Sequence, residues 1–134
     1  MTDYLDLRLT GEQIGAVSVL GLAHIGDCVY ELMVRSFILK RGRLTSGSLH
    51  HDTVMYVAAP AQARLIRKVE PMLTEEERAI FRRGRNARVN SVPKNAKIGE
   101  YHAATGLEAL FGWLHLNGEK DRLNELFGAM MEGE

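Results

Sequence analysis

Apolar residues in this chain recur three and four positions apart over most of its length, so helices are the elements able to bury them. Leu22, Ile25, Val29, Leu32, Met33 and Phe37 form one stripe, predicting an amphipathic helix over 20–40 that Gly42 ends. Val54, Val57, Ala58, Ala61, Leu65 and Ile66 predict a second over 48–69, with Pro71 just beyond it. Pro60 should kink or divide that helix, because proline offers no amide hydrogen and its ring strikes the preceding turn. Thr74 followed by Glu75, Glu76 and Glu77 marks another start: the hydroxyl can accept from free amides, and carboxylates suit the positive end of the helix dipole. That helix carries Ile80 and Phe81 and gives way to an irregular stretch over 84–93. A helix over 99–116, with Ala103, Leu107, Leu110, Phe111 and Leu114 apolar, and a shorter one over 120–131, with Leu123, Leu126, Phe127 and Met130 on one side, complete the pattern. The expected fold class is all-α, a single compact helical domain over 1–134.

A chain of 134 residues, 46% hydrophobic and 25% charged, has the makeup of a globule with one core. Its apolar runs fall short of the ~18 to 20 residues that span a bilayer, and the opening residues lack the basic and apolar regions of a signal peptide. A cytoplasmic protein with no membrane partner is therefore expected. The single cysteine, Cys28, has no partner within the chain, and its apolar neighbourhood suggests a buried thiol. His24, His50, His51, His102 and His115 fall into no zinc spacing, so no zinc site is expected. The formal net charge is zero, which argues against a generally basic nucleic-acid binder. The charges are unevenly placed, however: Arg82, Arg83, Arg85, Arg88, Lys94 and Lys97 follow one another with no acid between them.

Two carboxylates stand out from the helical pattern. Asp27 lies off the apolar stripe of its helix and directly follows Gly26, a residue that costs about 1 kcal/mol in a helix interior relative to alanine. Such a glycine marks close approach by another backbone or a ligand. Glu108 is surrounded by small and apolar residues, from Ala104 to Leu114. Taken singly, each could be an ordinary surface acid.

Taken together, the segments around them resemble the ribonuclease III family. His24-Ile25-Gly26-Asp27 is similar to the end of that family's signature helix, and Glu108-Ala109-Leu110-Phe111-Gly112 to its later acidic helix. The resemblance is closest to the short branch called Mini-ribonuclease III, through Ile-Gly-Asp-x-Val-Tyr-Glu at 25–31, Arg-Gly-Arg-Asn-Ala at 83–87 and Val-Pro-Lys-Asn-Ala at 92–96. It extends over about residues 20–127, and five motifs in order make it specific.

The resemblance implies a magnesium-dependent endoribonuclease that cuts double-stranded RNA, leaving 5′-phosphate and 3′-hydroxyl ends, with maturation of 23S ribosomal RNA of the large subunit as its task. Asp27 and Glu108 would be the catalytic residues and metal ligands, with manganese as a substitute ion and Glu31 touching the same site through water. Magnesium suits such a pair, since it takes oxygen ligands and keeps several waters. Arg82, Arg83, Arg85, Asn86, Arg88, Lys94 and Lys97 would bind RNA through phosphates, as expected for an A-form duplex read by shape. No DNA partner is expected, and no double-stranded-RNA-binding domain is expected after the catalytic one. A homodimer is implied, packed through the signature helix; Gly21, Ala23 and Gly26 would permit close approach there, with Leu22, Ile25, Val29 and Tyr30 as apolar surface. Longer members of the family have further acids where this chain has Leu20, Ala23 and Thr105, which favours one tightly held ion. The same departure motivates the alternative of a catalytically silent RNA-binding module. A third reading is a helical protein-interaction dimer whose basic loop meets an acidic partner.

Overall fold

Side chains that reach back to free amides set three of the helix starts. Thr10 and Gln13 form a reciprocal box at the head of α1 (Gly11–Ala16), and Thr74 and Glu77 do the same for α5 (Glu75–Arg85). Ser18 accepts from the amide of Gly21 at 3.0 Å and so opens α2 (Val19–Lys40). The computed structural model describes residues 1–42, 44–88 and 97–134. Among these, the remaining elements are α3 (Ser46–Val57), α4 (Ala59–Val69), a 3-10 turn (Glu70–Met72), α6 (Ile98–Leu116) and α7 (Lys120–Met131), with no strand.

Pro60 divides the second predicted helix. Ala58 takes an extended conformation, ending α3 and capping α4, and Pro60 falls in the first turn of α4, where its missing amide hydrogen costs nothing. The break leaves the last carbonyls of α3 to be met by side chains: the Tyr30 hydroxyl donates to the Tyr56 oxygen at 2.7 Å, and the Gln62 amide to the Val57 oxygen at 2.9 Å.

α6 is the central element, in contact with α2, α4, α5 and α7. Leu107, Leu110, Phe111 and Leu114 are buried along it, against Tyr30, Val34 and Ile38 of α2, Leu65 and Ile66 of α4, and Leu126, Phe127 and Met130 of α7. Tyr30 meets Phe111 and Phe127 edge to face, with ring centres 5.7 and 6.2 Å apart.

Several sequence expectations are corrected. The core-facing row of α2 is Leu22, Ala23, Gly26, Tyr30, Val34 and Ile38, whereas Leu32 of the predicted stripe is 64% exposed. Large side chains defined the predicted stripe, but the closest helix crossing requires small ones. For the same reason Ala23 and Gly26, with Leu22 and Tyr30, are consumed inside one protomer and leave no surface for a second. Cys28 is exposed, one step around the helix from the buried row. Val54 is also exposed, and Thr53 takes the buried place on α3. α5 continues through Gly84 to Arg85, because Gly84 packs on Gly106 and the tight contact holds the helix on. α1 has no counterpart among the predicted helices; its six residues are too few to show a period.

Candidate active site

Two glycines bring the carboxylates together. A methyl group at Gly26 would collide with the main-chain carbonyl of Glu108, and one at Gly112 with the carbonyl of Leu22. α2 and α6 therefore cross with their backbones in contact, and Asp27 and Glu108 flank that crossing. Gly26 and Gly112 are next to or one turn from the acids, so the local sequence that carries each carboxylate also allows its approach to the other.

Glu108 is half-buried, and its side chain lies within hydrogen-bonding reach of Asp27. Burial, and secondarily the negative charge of Asp27, push the Glu108 carboxyl up to about 8, while a hydrogen bond from Gln62 opposes the shift. Asp27 itself is exposed, so solvent reaches the pair from its side. Glu108 therefore retains a proton near neutral pH, and a divalent ion bound beside it would relieve the repulsion from Asp27.

The donor set fits a hard cation. It consists of carboxylate oxygens, and among the described residues no group of three or more His, Cys, Asp or Glu side chains is placed to hold a metal. An ion on Asp27 and Glu108 would take its other ligands from water or substrate, as magnesium does.

Sequence reading missed Gln62. It is 2% exposed on α4, and its amide nitrogen donates to the Val57 carbonyl at 2.9 Å and to Glu108 Oε2 at 3.4 Å. The signal was present: Gln62 is the one polar residue in the inward row Gln62, Ala63, Leu65, Ile66 and Val69. The expected companion Glu31 is half-buried and pairs with Arg35 one turn on, at 2.9 Å. Of the positions where longer relatives carry acids, Ala23 and Thr105 are buried, and the Thr105 hydroxyl is spent on the Tyr101 carbonyl at 3.1 Å.

Arg82, Arg83 and Arg85 occupy the last turn of α5, where cations suit the negative end of the dipole. Asn86 caps that helix, Arg88 is exposed beyond it, and Lys97 caps α6. Lys94 and the Val-Pro-Lys-Asn-Ala motif lie outside the described residues. Arg85, with its guanidinium 5.5 Å from the Phe81 ring centre, shares a depression of about 400 Å³ with Lys97 and Arg67. Arg67, on α4, is a cation that the linear charge run could not have included.

Comparison with known proteins bears on this arrangement. The Ribonuclease III domain family matches residues 20–119. The chain is 46% identical to a Mini-ribonuclease 3 of Symbiobacterium thermophilum over 82% of its length and 85% of that protein's. It is 44% identical to one of Thermoanaerobacter sp., over 88% of its own length and 83% of the other's. A crystal structure of a Fusobacterium nucleatum protein superposes with a TM-score of 0.80 at 28% identity, covering 88% of this chain and 96% of that one.

Proposed function

Because the chain belongs to the ribonuclease III family, in its Mini-ribonuclease 3 branch, and is an endoribonuclease of double-stranded RNA, we propose that Asp27 and Glu108 form its catalytic, magnesium-holding pair. One observation carries this assignment: two carboxylates far apart in sequence meet at a backbone-to-backbone helix crossing, one of them half-buried and pushed up to about 8 by its burial and, secondarily, by the other's charge. Magnesium bound there supplies a Lewis acid to the phosphodiester and lowers the pKa of water for attack on it. Glu108 would hold the ion as a carboxylate, so its binding would be coupled to release of the Glu108 proton. Hydrolysis adds water oxygen to phosphorus and breaks the bond to the 3′ oxygen, which takes a proton; the products carry 5′-phosphate and 3′-hydroxyl ends.

Arg82, Arg83, Arg85, Arg88 and Lys97, joined by Arg67, hold the duplex through its phosphates, with Asn86 among them. Contacts of this kind position an A-form helix without reading much of its sequence. The proposed substrate is the precursor of large-subunit 23S ribosomal RNA, and the proposed setting is the cytoplasm. No helix among the described residues is long and apolar enough to cross a membrane.

The working unit is a homodimer packed through α2. Its surface differs from the one expected from sequence, since Ala23, Gly26 and Tyr30 are buried within the protomer. Leu32 is exposed on α2 while Ile25 and Val29 are half-buried, and Val29 and Leu32 border an apolar groove of about 450 Å³ with Met33 and Phe37.

The deciding experiment is cleavage of a long RNA duplex with magnesium by wild type, Asp27→Asn and Glu108→Gln. Each variant should remain helical and lose at least about a hundredfold in rate, the scale of losing a group that acts in the transition state. Wild-type rates in both variants would remove the pair from the chemistry. Duplex binding by wild type without cleavage in any divalent ion would favour a silent RNA-binding module.

A further inference from the structure

Gln62 is a polar side chain placed where α4 otherwise buries apolar ones, and it is 2% exposed. Burying an amide costs free energy unless its groups are hydrogen-bonded, so its position calls for a reason. Its nitrogen has two acceptors, the Val57 carbonyl at 2.9 Å and Glu108 Oε2 at 3.4 Å. Two acceptors on one side fix which end of the amide is nitrogen and which is oxygen. Oε1 is then buried with no protein donor.

The Val57 carbonyl is a rigid anchor. It is the last of α3, left free by the turn at Ala58 that precedes Pro60, and Gln62 lies four residues beyond that turn. A break in the helix on one side is thereby tied to a carboxylate on another. Glu108 sits on α6 and Gln62 on α4, helices that pack directly against each other.

We infer that Gln62 is a positioning residue for the metal-holding pair, fixing the Glu108 carboxylate through Nε2 and offering Oε1 to a water held with the cation. The inference rests on the magnesium role proposed for Asp27 and Glu108. One Glu108 oxygen is engaged by the amide, which leaves the remaining lone pairs of the carboxylate for an ion. Partners that orient metal ligands in this way change metal affinity about 10- to 100-fold when removed.

The test is manganese binding to the RNA-free protein, followed by electron paramagnetic resonance, for wild type, Gln62→Met, Gln62→Asn and Asp27→Asn. Methionine matches the length of glutamine without hydrogen-bonding to either acceptor; asparagine is a methylene too short to span both. Circular dichroism and thermal unfolding select the variants that fold, and either one suffices. Folded Gln62 variants should bind manganese about tenfold or more weakly than wild type. Wild-type affinity in a folded Gln62 variant, with binding lost in Asp27→Asn, would overturn the role of Gln62 alone. Wild-type affinity in Asp27→Asn would overturn the metal site on which that role depends.

Discussion

Glu108 carries a local cost that the metal role proposed for it would offset. An acid whose pKa is raised by folding holds its proton more tightly in the native than in the unfolded state. The metal-free fold therefore loses stability as pH rises from the ordinary carboxylate value of 4.5 toward about 8, and regains it on acidification. Glutamine copies the protonated side chain at every pH. In EDTA near pH 7.5, Glu108→Gln should be more stable than wild type by about 1 to 2 kcal/mol, a fraction of the full shift because water reaches the rim. Near pH 4 the two should coincide, about where the unfolded carboxyl is also protonated. Urea titration at the two pH values checks this, and a wild type that is the more stable near pH 7.5 would contradict it. Magnesium should then raise the melting temperature of wild type and leave that of the variant nearly unmoved, since only a ligand of the native state stabilises it. Sequence made Glu108 and Asp27 conspicuous through their glycine-rich and apolar surroundings. It misplaced Cys28 as buried, because the apolar neighbours in sequence lie around the helix from it rather than against it.

At the scale of helices, the α2–α6 crossing and the α5–α7 tie carry separable loads. Gly26→Ala or Gly112→Ala puts a methyl group against a carbonyl of the opposite helix, and backbone cannot rotate away as a side chain can. Each should cost about 1 to 3 kcal/mol or more by overpacking, and should separate the carboxylates. Loss of the Glu108 pKa elevation, followed by carbonyl-region infrared titration, distinguishes separation from destabilisation alone. Glu77, buried in the first turn of α5, accepts from Arg122 Nε and Nη2 at 2.8 Å each, and Arg122 Nη2 also donates to the Met72 carbonyl at 2.8 Å. The Arg122 guanidinium holds the Glu77 carboxyl below its usual range despite burial. That ion pair contributes stability above the unfolded value of 4.5 and loses it as pH falls through the lower folded value. Arg122→Ala should cost about 3 to 5 kcal/mol at neutral pH by leaving a buried charge uncompensated. Denaturant unfolding should show that gap narrowing in acid. The capping box that places Glu77 was readable in Thr74 and the acids after it; the partner on α7 was not, because ion pairing between distant helices leaves no local pattern.

For the molecule as a whole, the dimer face proposed on α2 can be tested apart from folding. Leu32 is 64% exposed and contributes little to the protomer's core. Leu32→Arg should therefore leave helicity and unfolding cooperativity intact, while light scattering shows the mass fall from dimer to monomer. A dimer that survives the substitution would move the interface off this face. Helical class, approximate helix limits and the break at Pro60 were set by sequence alone, because period, caps and proline act within a turn or two of the residues that carry them. The two acids that the structure brings together were also singled out there, through motifs that each occupy one short segment. The inward row of α2, the anchoring of Gln62 and the grouping of Arg67 with Arg85 and Lys97 were decided only by tertiary structure. Each depends on which face of one helix meets which face of another, and that choice is made by shape complementarity summed over the entire core, a quantity no local stretch of chain contains.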